Sequence, residues 1–371
     1  MHAHSGVQQM SKNLFTVQKI QKVFGASDHR NTILDYEEKG KIPQATRTKG
    51  GHRKWETCDL PQIGERFGFM EKLVEPRILT FFSTKGGVFK SSLAINLARM
   101  AALHNISTIL VGLDTQCDSS GTLGYDIGLA ESDSLQDAEN KISEIYSLPD
   151  LLTGGNLFDM IVDTDIPTLS YLPETPDLDF LEEKICNMPM RDFWLSQNVI
   201  QPLRDKYSLI ILDLGPAWNM LTVNSLAVCD VLISPIECKF NHFRNIKTFR
   251  HKIEKFKSDT GSSFEHIYVP VKHSKTQNLS NDIFKFYISN FPNCISTGIR
   301  ETQQGEDAIA NGLSVIEYDP MCPTADDTRS MLNELWPKIL CSKKNDLVAP
   351  KRAGKPIRSS SNLNKENHPQ H

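Results

Sequence analysis

Short apolar runs recur through the middle of the chain, and apolar residues at helical spacing fill the segments between them. Five runs have the length and apolar content of buried strands, at residues 77–82, 108–113, 208–212, 231–236 and 266–271, and residues 298–299 are a candidate start of another. Buried strands that alternate with helices are typical of right-handed βαβ units. The pattern therefore predicts an α/β fold with a mainly parallel sheet flanked by helices. Residues 125–207 are less regular.

The N-terminal residues follow a different pattern. Apolar residues recur at helical spacing in two short sets on either side of a glycine turn; the first set is Leu14, Val17, Ile20 and Val23, and the second is Ile33, Leu34 and Tyr36. Two short helices joined by such a turn, with Ser27 as the N-cap of the second, are the outline of a helix-turn-helix. The basic, glycine-tipped segment 46–55 that follows predicts a hairpin.

Composition narrows the class of protein. The chain has 371 residues, of which 39% are hydrophobic and 23% charged, as in ordinary soluble globular proteins. No apolar run approaches the roughly 18 residues that cross a membrane, and the N-terminus lacks a secretory pattern, so we expect a cytoplasmic protein without a membrane partner. The eight scattered cysteines include no C-x-x-C pair and are expected to be reduced, without a zinc site.

Charge is unevenly distributed, although the net charge is only −4. Residues 1–72 carry +4 and residues 342–371 carry +5, so the middle of the chain is strongly acidic. Residues 342–371 are also poor in apolar residues, which predicts a disordered basic tail. Any contact with a polyanion is therefore expected at the ends or on a local patch, although basic tails are often simply solvated.

Residues 79–92 combine an apolar run, a loop with two glycines, a lysine, two hydroxyl residues and a further helical pattern. Gly86 and Gly87 would let backbone N–H groups approach phosphates. Lys90 would add a positive charge, and Ser91 would offer a hydroxyl to Mg²⁺. The order of strand, glycine loop and helix therefore predicts a triphosphate site. The alternative is a glycine turn beside solvated lysines.

The strict P-loop pattern is not met, because Thr84 and Phe89 stand where it has glycines. The remaining motif, Lys85-Gly86-Gly87-x-x-Lys90-Ser91, resembles the deviant Walker A motif of the ParA/MinD family of ATPases. The resemblance implies ATP and Mg²⁺ as cofactors, and a catalytic Lys85 that reaches across a nucleotide sandwich homodimer to the partner's phosphates. The implied nucleotide-binding residues are Lys85, Gly86, Gly87, Val88, Phe89, Lys90, Ser91 and Ser92.

A carboxylate follows the second predicted strand. The family has D-x-D-P-Q-x-N-S at this point; here Gly112 stands at the first acidic position, Asp114 at the second, and Asp118 where asparagine is usual. Ligands of open α/β sheets bind at the carboxyl ends of strands. The resemblance implies that Asp114 and Lys90 are both catalytic. In the family, the residue at the position of Asp114 orients the attacking water. The alternative is an aspartate in a surface turn.

A second carboxylate ends the third predicted strand. The sequence Asp213-Leu214-Gly215-Pro216 resembles the family's Walker B motif, which implies that Asp213 holds Mg²⁺ through water and that Ser91 is the other metal-binding residue. Residues 224–237 and 299–318 also resemble later family segments. The resemblance covers about residues 77–338 and is weakest at 125–200.

The N-terminal pattern resembles the MerR-type winged helix. The resemblance rests on the pair Tyr36-Glu37 and the step Arg53-Lys54-Trp55. It places residues 28–31 at the start of a recognition helix and the basic hairpin against phosphates. The implied DNA-binding residues are Arg30, Asn31, Lys49, Arg53 and Lys54. The alternative is a small helical cap that packs on the ATPase and binds nothing.

Residues 239–257 form a further basic segment. Phenylalanine and isoleucine residues fit one helix face, and lysine and arginine residues fit the other. Arg244, Lys247 and Arg250 are thus candidates for DNA binding without sequence preference, which phosphate charge dominates. An ordinary solvated helix face is the alternative.

These observations give an N-terminal winged helix-turn-helix at residues 1–75, a ParA-type ATPase at 76–341 and a tail at 342–371. The chain resembles the larger plasmid-partition ATPases. That resemblance implies non-specific, nucleoid-associated DNA binding by the ATP-bound dimer, slow hydrolysis stimulated by a ParB-like centromere-binding partner, and autorepression through the winged helix.

Other functions remain open. A nucleotide-regulated transcription regulator and a ParA-like ATPase that positions another cargo fit the same motifs. A MinD-like membrane switch is disfavoured, because the tail lacks an apolar helix face.

Overall fold

A computed structural model of the chain describes residues 13–26, 30–116, 119, 123, 134, 136 and 146–345. Its N-terminal unit has a small antiparallel sheet, in the order β1-β3-β2, and three helices. The bounds are β1 Leu14–Phe15, α1 Val17–Val23, α2 Arg30–Glu38, β2 Thr46–Arg47, β3 Arg53–Glu56 and α3 Leu60–Phe67. Both expected helices and the hairpin are present. Ser27 lies outside the described residues.

Glu37 of α2 holds the hairpin in place. Its buried carboxylate accepts the backbone N–H of Ala45 at 3.1 Å and forms an ion pair with Arg53. The indole N–H of the buried Trp55 donates to the carbonyl oxygen of Pro43 at 2.8 Å. Because these partners compensate for the lost hydration of the buried polar groups, the hairpin is fixed on α2.

The larger part of the chain is built on a seven-stranded sheet. Its order is β10-β9-β4-β8-β5-β7-β6, and neighbouring strands are parallel except β6 and β7. The bounds are β4 Arg77–Phe81, β5 Thr108–Leu113, β6 Val162–Asp163, β7 Leu169–Leu172, β8 Leu209–Leu214, β9 Val231–Glu237 and β10 Glu265–Val271. The predicted parallel sheet is confirmed.

Two details differ from the sequence expectation. Residues 298–299 do not open a strand, since Ile299 forms only an isolated bridge with Val271. Strands β6 and β7 arise from the segment without a clear pattern. They are only two and four residues long, too short for periodicity to be visible.

Both faces of the sheet are buried under helices. Alternate residues of a strand point to opposite faces, and in β4 Leu79 and Phe81 belong to one buried cluster while Ile78 belongs to the other. The bounds are α4 Lys90–Leu103, α5 Leu178–Cys186, α6 Gln201–Arg204, α7 Met220–Val228, α8 Phe240–Thr260, α9 Asn278–Asn290, α10 Gln303–Ala310, α11 Val315–Tyr318 and α12 Pro323–Cys341. Within the described residues, no helix has both the length and the apolar content of a membrane span.

The N-terminal unit packs directly on the last turn of α4. Phe24 and Phe69 contact the imidazole of His104 edge-on, with ring centroids 5.2 and 4.8 Å away. Gly64 of α3 permits this approach, since a β-carbon there would lie 2.0 Å from the carbonyl oxygen of Leu103. One buried cluster continues from the N-terminal unit into the larger part. The described N-terminal residues, 13–26 and 30–75, are therefore docked on the rest of the chain and share its core.

Candidate functional site

The carboxyl ends of three neighbouring strands, β4, β8 and β5, carry the predicted site. β4 ends at Phe81, the glycine loop follows, and α4 begins at Lys90, whose side chain is buried. Gly87 has a φ of 67°, a conformation that glycine adopts without strain. The loop therefore ends at a helix N-terminus with a buried lysine, which is a suitable arrangement for phosphate.

Phe89 occupies a backbone conformation that favours glycine. Its φ is 64°, in the left-handed region, which costs a residue with a β-carbon about 1 kcal/mol or more. Its ring packs against the buried cluster, and the ammonium of Lys272 lies 4.9 Å from the ring centroid. These contacts offset the strain and explain how the loop forms without the glycine of the strict pattern.

Asp213 is the buried carboxylate at the end of β8. Its Oδ2 accepts the hydroxyl of Ser119 at 2.6 Å, and Ser91 also donates to it. Its Oδ1 has no hydrogen-bond partner among the described residues. Burial raises the pKa of Asp213 to about 6, against the lowering effect of both hydrogen bonds and of Lys90. A buried, unpartnered carboxylate oxygen beside a serine fits a hydrated Mg²⁺ ion.

Asp114 lies at the same edge, just after β5. It is buried, and its Oδ1 accepts the backbone N–H of Gln116 at 3.2 Å. A β-carbon at Gly215 would lie 2.8 Å from Oδ1, so the glycine after β8 lets Asp114 approach. The structure thus brings Asp114 and Asp213 together, and their roles stay predictions. Asp118 lies outside the described residues.

Lys85 is paired within its own chain. Its ammonium forms an ion pair with Glu237 at the end of β9, a residue only 4% exposed. Lys272 approaches the other oxygen of Glu237 at 3.7 Å and pairs with Glu301 at 2.7 Å. Sequence analysis missed Glu237, which is 152 residues from Lys85. The only feature of the sequence that could have indicated Glu237 is its position, as an acidic residue directly after a predicted strand.

An apolar cavity of about 320 Å³ opens beside the glycine loop, and sequence analysis did not predict it. It lies between α4 and α10, and its lining includes Phe89, Leu93, Asn96, Ile299, Ile309 and Val315. A mostly apolar cavity with a few polar groups suits a planar heteroaromatic ring.

The predicted DNA-binding residues of the N-terminal unit fall into two groups. Arg53 forms ion pairs with Glu37 and Glu38, so it holds the hairpin and is a weaker candidate for phosphate than we expected. The others are exposed or half-buried, namely Arg30, Asn31, Lys49 and Lys54. Arg30 and Lys54 line an open concave surface between the helices and the hairpin, which encloses a volume of about 950 Å³.

The basic segment forms helix α8 as predicted, with Ile246, Phe249, Ile253 and Phe256 buried. Arg244 and Lys247 are exposed. Arg250 differs, since its guanidinium carbon lies 4.5 Å from the ring centroid of Phe291 and the residue is half-buried. Arg244 and Lys247 are therefore the better candidates for DNA contact.

Comparison with known proteins agrees with this geometry. A family model described as AAA domain matches residues 76–266, more than half of the chain. The chain belongs to this family. The glycine loop resembles that of P-loop proteins, and the chain is similar to the ParA protein described next.

Two curated relatives come from Myxococcus xanthus. The chromosome partitioning protein ParA is 31% identical over 178 residues, or 48% of this chain and 58% of the relative. The chain thus spans little more than half of that protein's length. The cell division protein PomZ is 22% identical over 264 residues, or 71% of this chain and 78% of the relative.

A solved structure shows the same fold. A plasmid partition protein from Borrelia burgdorferi bound to AMPPNP is 20% identical, with a TM-score of 0.58 over 71% of this chain and all of the other. At this identity the likeness establishes the fold alone.

Proposed function

We propose that the chain is an ATP-hydrolysing DNA partition protein whose ATP-bound dimer binds DNA without sequence preference and is released on hydrolysis. The observation that carries the proposal is the buried Oδ1 of Asp213, which lies between the glycine loop and Asp114 and has no hydrogen-bond partner among the residues that the structure describes. This arrangement supports Mg²⁺-dependent hydrolysis of a nucleoside triphosphate. The similarity to the chromosome partitioning protein ParA supports DNA as the cargo.

Each residue of the site would have a defined task. Residues 85–92 and the N-terminus of α4 would hold the phosphates of ATP, with Lys90 opposing their charge. Ser91 and, through water, Asp213 would hold Mg²⁺, which neutralises charge on the phosphates when bound. Asp114 would accept a hydrogen bond from the attacking water and orient it. The adenine ring would occupy the apolar cavity beside Phe89.

Lys85 would change partners during the cycle. In the structure its ammonium is neutralised by Glu237. A triphosphate from a second copy of the chain carries more negative charge than one carboxylate and competes for the same ammonium. Release of Lys85 from Glu237 would therefore accompany formation of the nucleotide sandwich homodimer.

Two surfaces would contact DNA. The exposed Arg244 and Lys247 of α8 would bind phosphates of nucleoid DNA. The N-terminal unit, with Arg30 and Lys54 on its concave surface, would bind an operator and repress the protein's own synthesis. A ParB-like centromere-binding partner would stimulate hydrolysis and so release the DNA.

Two further functions are each favoured by one observation. Positioning of another cargo is favoured by the similarity to the cell division protein PomZ. Transcription regulation without turnover is favoured by the N-terminal helices and basic hairpin. ATP turnover by the purified protein, with and without random-sequence DNA, separates hydrolysis from nucleotide binding alone.

The DNA surface is tested by reversing its charge. The double variant Arg244→Glu/Lys247→Glu should bind random DNA more weakly in the presence of ATP, and the slope of log affinity against log salt should become shallower by about 2. The matched control is Lys184→Glu/Lys206→Glu, the same reversal at exposed positions outside α8. Unchanged binding by the α8 variant, or equal loss in the control, would refute this assignment.

A further inference from the structure

A buried carboxylate that no motif predicted lies next to the candidate site. Glu174 follows β7 by two residues and is only 3% exposed. Its Oε1 accepts the backbone N–H of Ser119 at 2.9 Å, and its Oε2 accepts the hydroxyl of Tyr171. Burial of a charged carboxylate is costly unless such donors compensate for the lost hydration. Its position is therefore well defined.

The same carboxylate fills the space beside Gly112. A β-carbon at Gly112 would lie 1.5 Å from Oε2 of Glu174, so any side chain at position 112 would collide with it. Gly112 is the residue that pairs with Asp213 across β5 and β8. The carboxylate of Glu174 thus lies where an acidic side chain at position 112 would be, beside the strand β8 that carries Asp213.

Two hydrogen bonds, both made by Ser119, connect this carboxylate to the candidate metal-binding residue Asp213. Ser119, whose N–H is held by Glu174, donates its hydroxyl to Oδ2 of Asp213 at 2.6 Å. Within the described part of the chain, this leaves Oδ1 of Asp213 without a hydrogen-bond partner. The position of Ser119 therefore determines which oxygen of Asp213 is available to a cation and in which direction it faces.

We propose that Glu174 is a positioning residue for the Mg²⁺–nucleotide site, which acts through Ser119 on Asp213 and replaces in space the carboxylate absent at position 112. This inference rests on the proposed ATPase function. Glu174 would hold Ser119 through its backbone N–H and, through the hydroxyl of Ser119, the orientation of Asp213.

The test measures the Mg²⁺ concentration for half-maximal binding of a fluorescent ATP analogue to the full chain, together with binding in EDTA and the thermal unfolding midpoint. Glu174→Ala and Ser119→Ala should each raise that concentration about 10- to 100-fold, the usual effect of losing a residue that orients a metal ligand. Binding in EDTA should be unchanged. Because both act through one hydrogen-bond chain, the double variant should be no worse than the more affected single variant.

A relocation experiment separates positioning from simple packing. Gly112→Asp alone should be disruptive, because it collides with Glu174. In the Glu174→Ala background, Gly112→Asp should restore the Mg²⁺ response, whereas Gly112→Ala, which adds a β-carbon without a carboxylate, should not. If Glu174→Ala does not fold, Ser119→Ala still tests the inference, because it removes only the hydroxyl that donates to Asp213.

Three results would overturn the inference. They are a wild-type Mg²⁺ response in Glu174→Ala or in Ser119→Ala, an equal loss of binding with and without Mg²⁺, or equal rescue by aspartate and alanine at position 112. A wild-type chain without Mg²⁺-dependent nucleotide binding would instead refute the proposed function together with this inference.

Discussion

Acidification should weaken the fold through His104, at the contact between the N-terminal unit and α4. The imidazole is buried between Phe24 and Phe69. Its Nε2 accepts the backbone N–H of Phe69 at 3.1 Å, and its Nδ1 donates to the carbonyl oxygen of Met100 at 2.6 Å. Both nitrogens of the neutral ring therefore have a hydrogen-bond partner. A second proton would lie on Nε2 and face the backbone N–H of Phe69.

The size of the loss in the free energy of unfolding follows from the pKa of His104. Burial lowers the pKa of His104 to about 4 from an ordinary value of 6.5. A histidine with a lowered pKa in the folded state contributes stability that is present above pH 6.5 and is lost as the pH falls towards 4. Between pH 7 and pH 5 the loss is about 2 kcal/mol, because the unfolded chain is then protonated and the folded chain is not.

The assay is urea unfolding at pH 7, 6 and 5, compared between the wild type and His104→Gln, whose amide oxygen can still accept the N–H of Phe69. Burial also lowers the pKa of His266, to about 3, and this effect is common to both proteins. The free energy of unfolding should therefore fall more steeply in the wild type, by about 2 kcal/mol between pH 7 and 5. Parallel pH profiles would refute the assignment to His104.

Three further predictions concern the nucleotide cycle. Lys85→Ala should still bind ATP but lose dimerisation and stimulated hydrolysis, measured by light scattering and phosphate release; full activity would contradict the sandwich dimer. Glu237→Gln weakens the competing ion pair, so it should dimerise at a lower ATP concentration than the wild type, whereas a higher requirement would argue against competition for Lys85. Asp114→Ala should trap the DNA-bound dimer, seen as slower release from DNA after ATP is removed, and normal release would exclude its role in hydrolysis.

Contiguous motifs made the phosphate loop and Asp213 predictable, because a strand, a glycine loop and a helix N-terminus are adjacent in sequence as well as in space. Contacts between distant segments were not predictable. The pairing of Lys85 with Glu237 spans 152 residues, and the contact of Glu174 with Ser119 spans 55. Each depends on the strand order of the sheet, which the apolar pattern does not contain. The ion pair of Arg53 with the buried Glu37 was also not predictable, because it depends on how the hairpin packs on α2.

Helix α4 gives the chain a physical connection between its two candidate functions. Its first residue, Lys90, closes the glycine loop, and its last turn meets α3 of the N-terminal unit beside His104. Fourteen residues of α-helix span about 20 Å without a hinge, because each residue adds about 1.5 Å. The close contact at Gly64 packs α3 directly against the end of α4. A displacement of α4 on nucleotide binding would therefore carry the N-terminal unit with it, and a DNA-binding surface there would respond to the nucleotide without a separate relay.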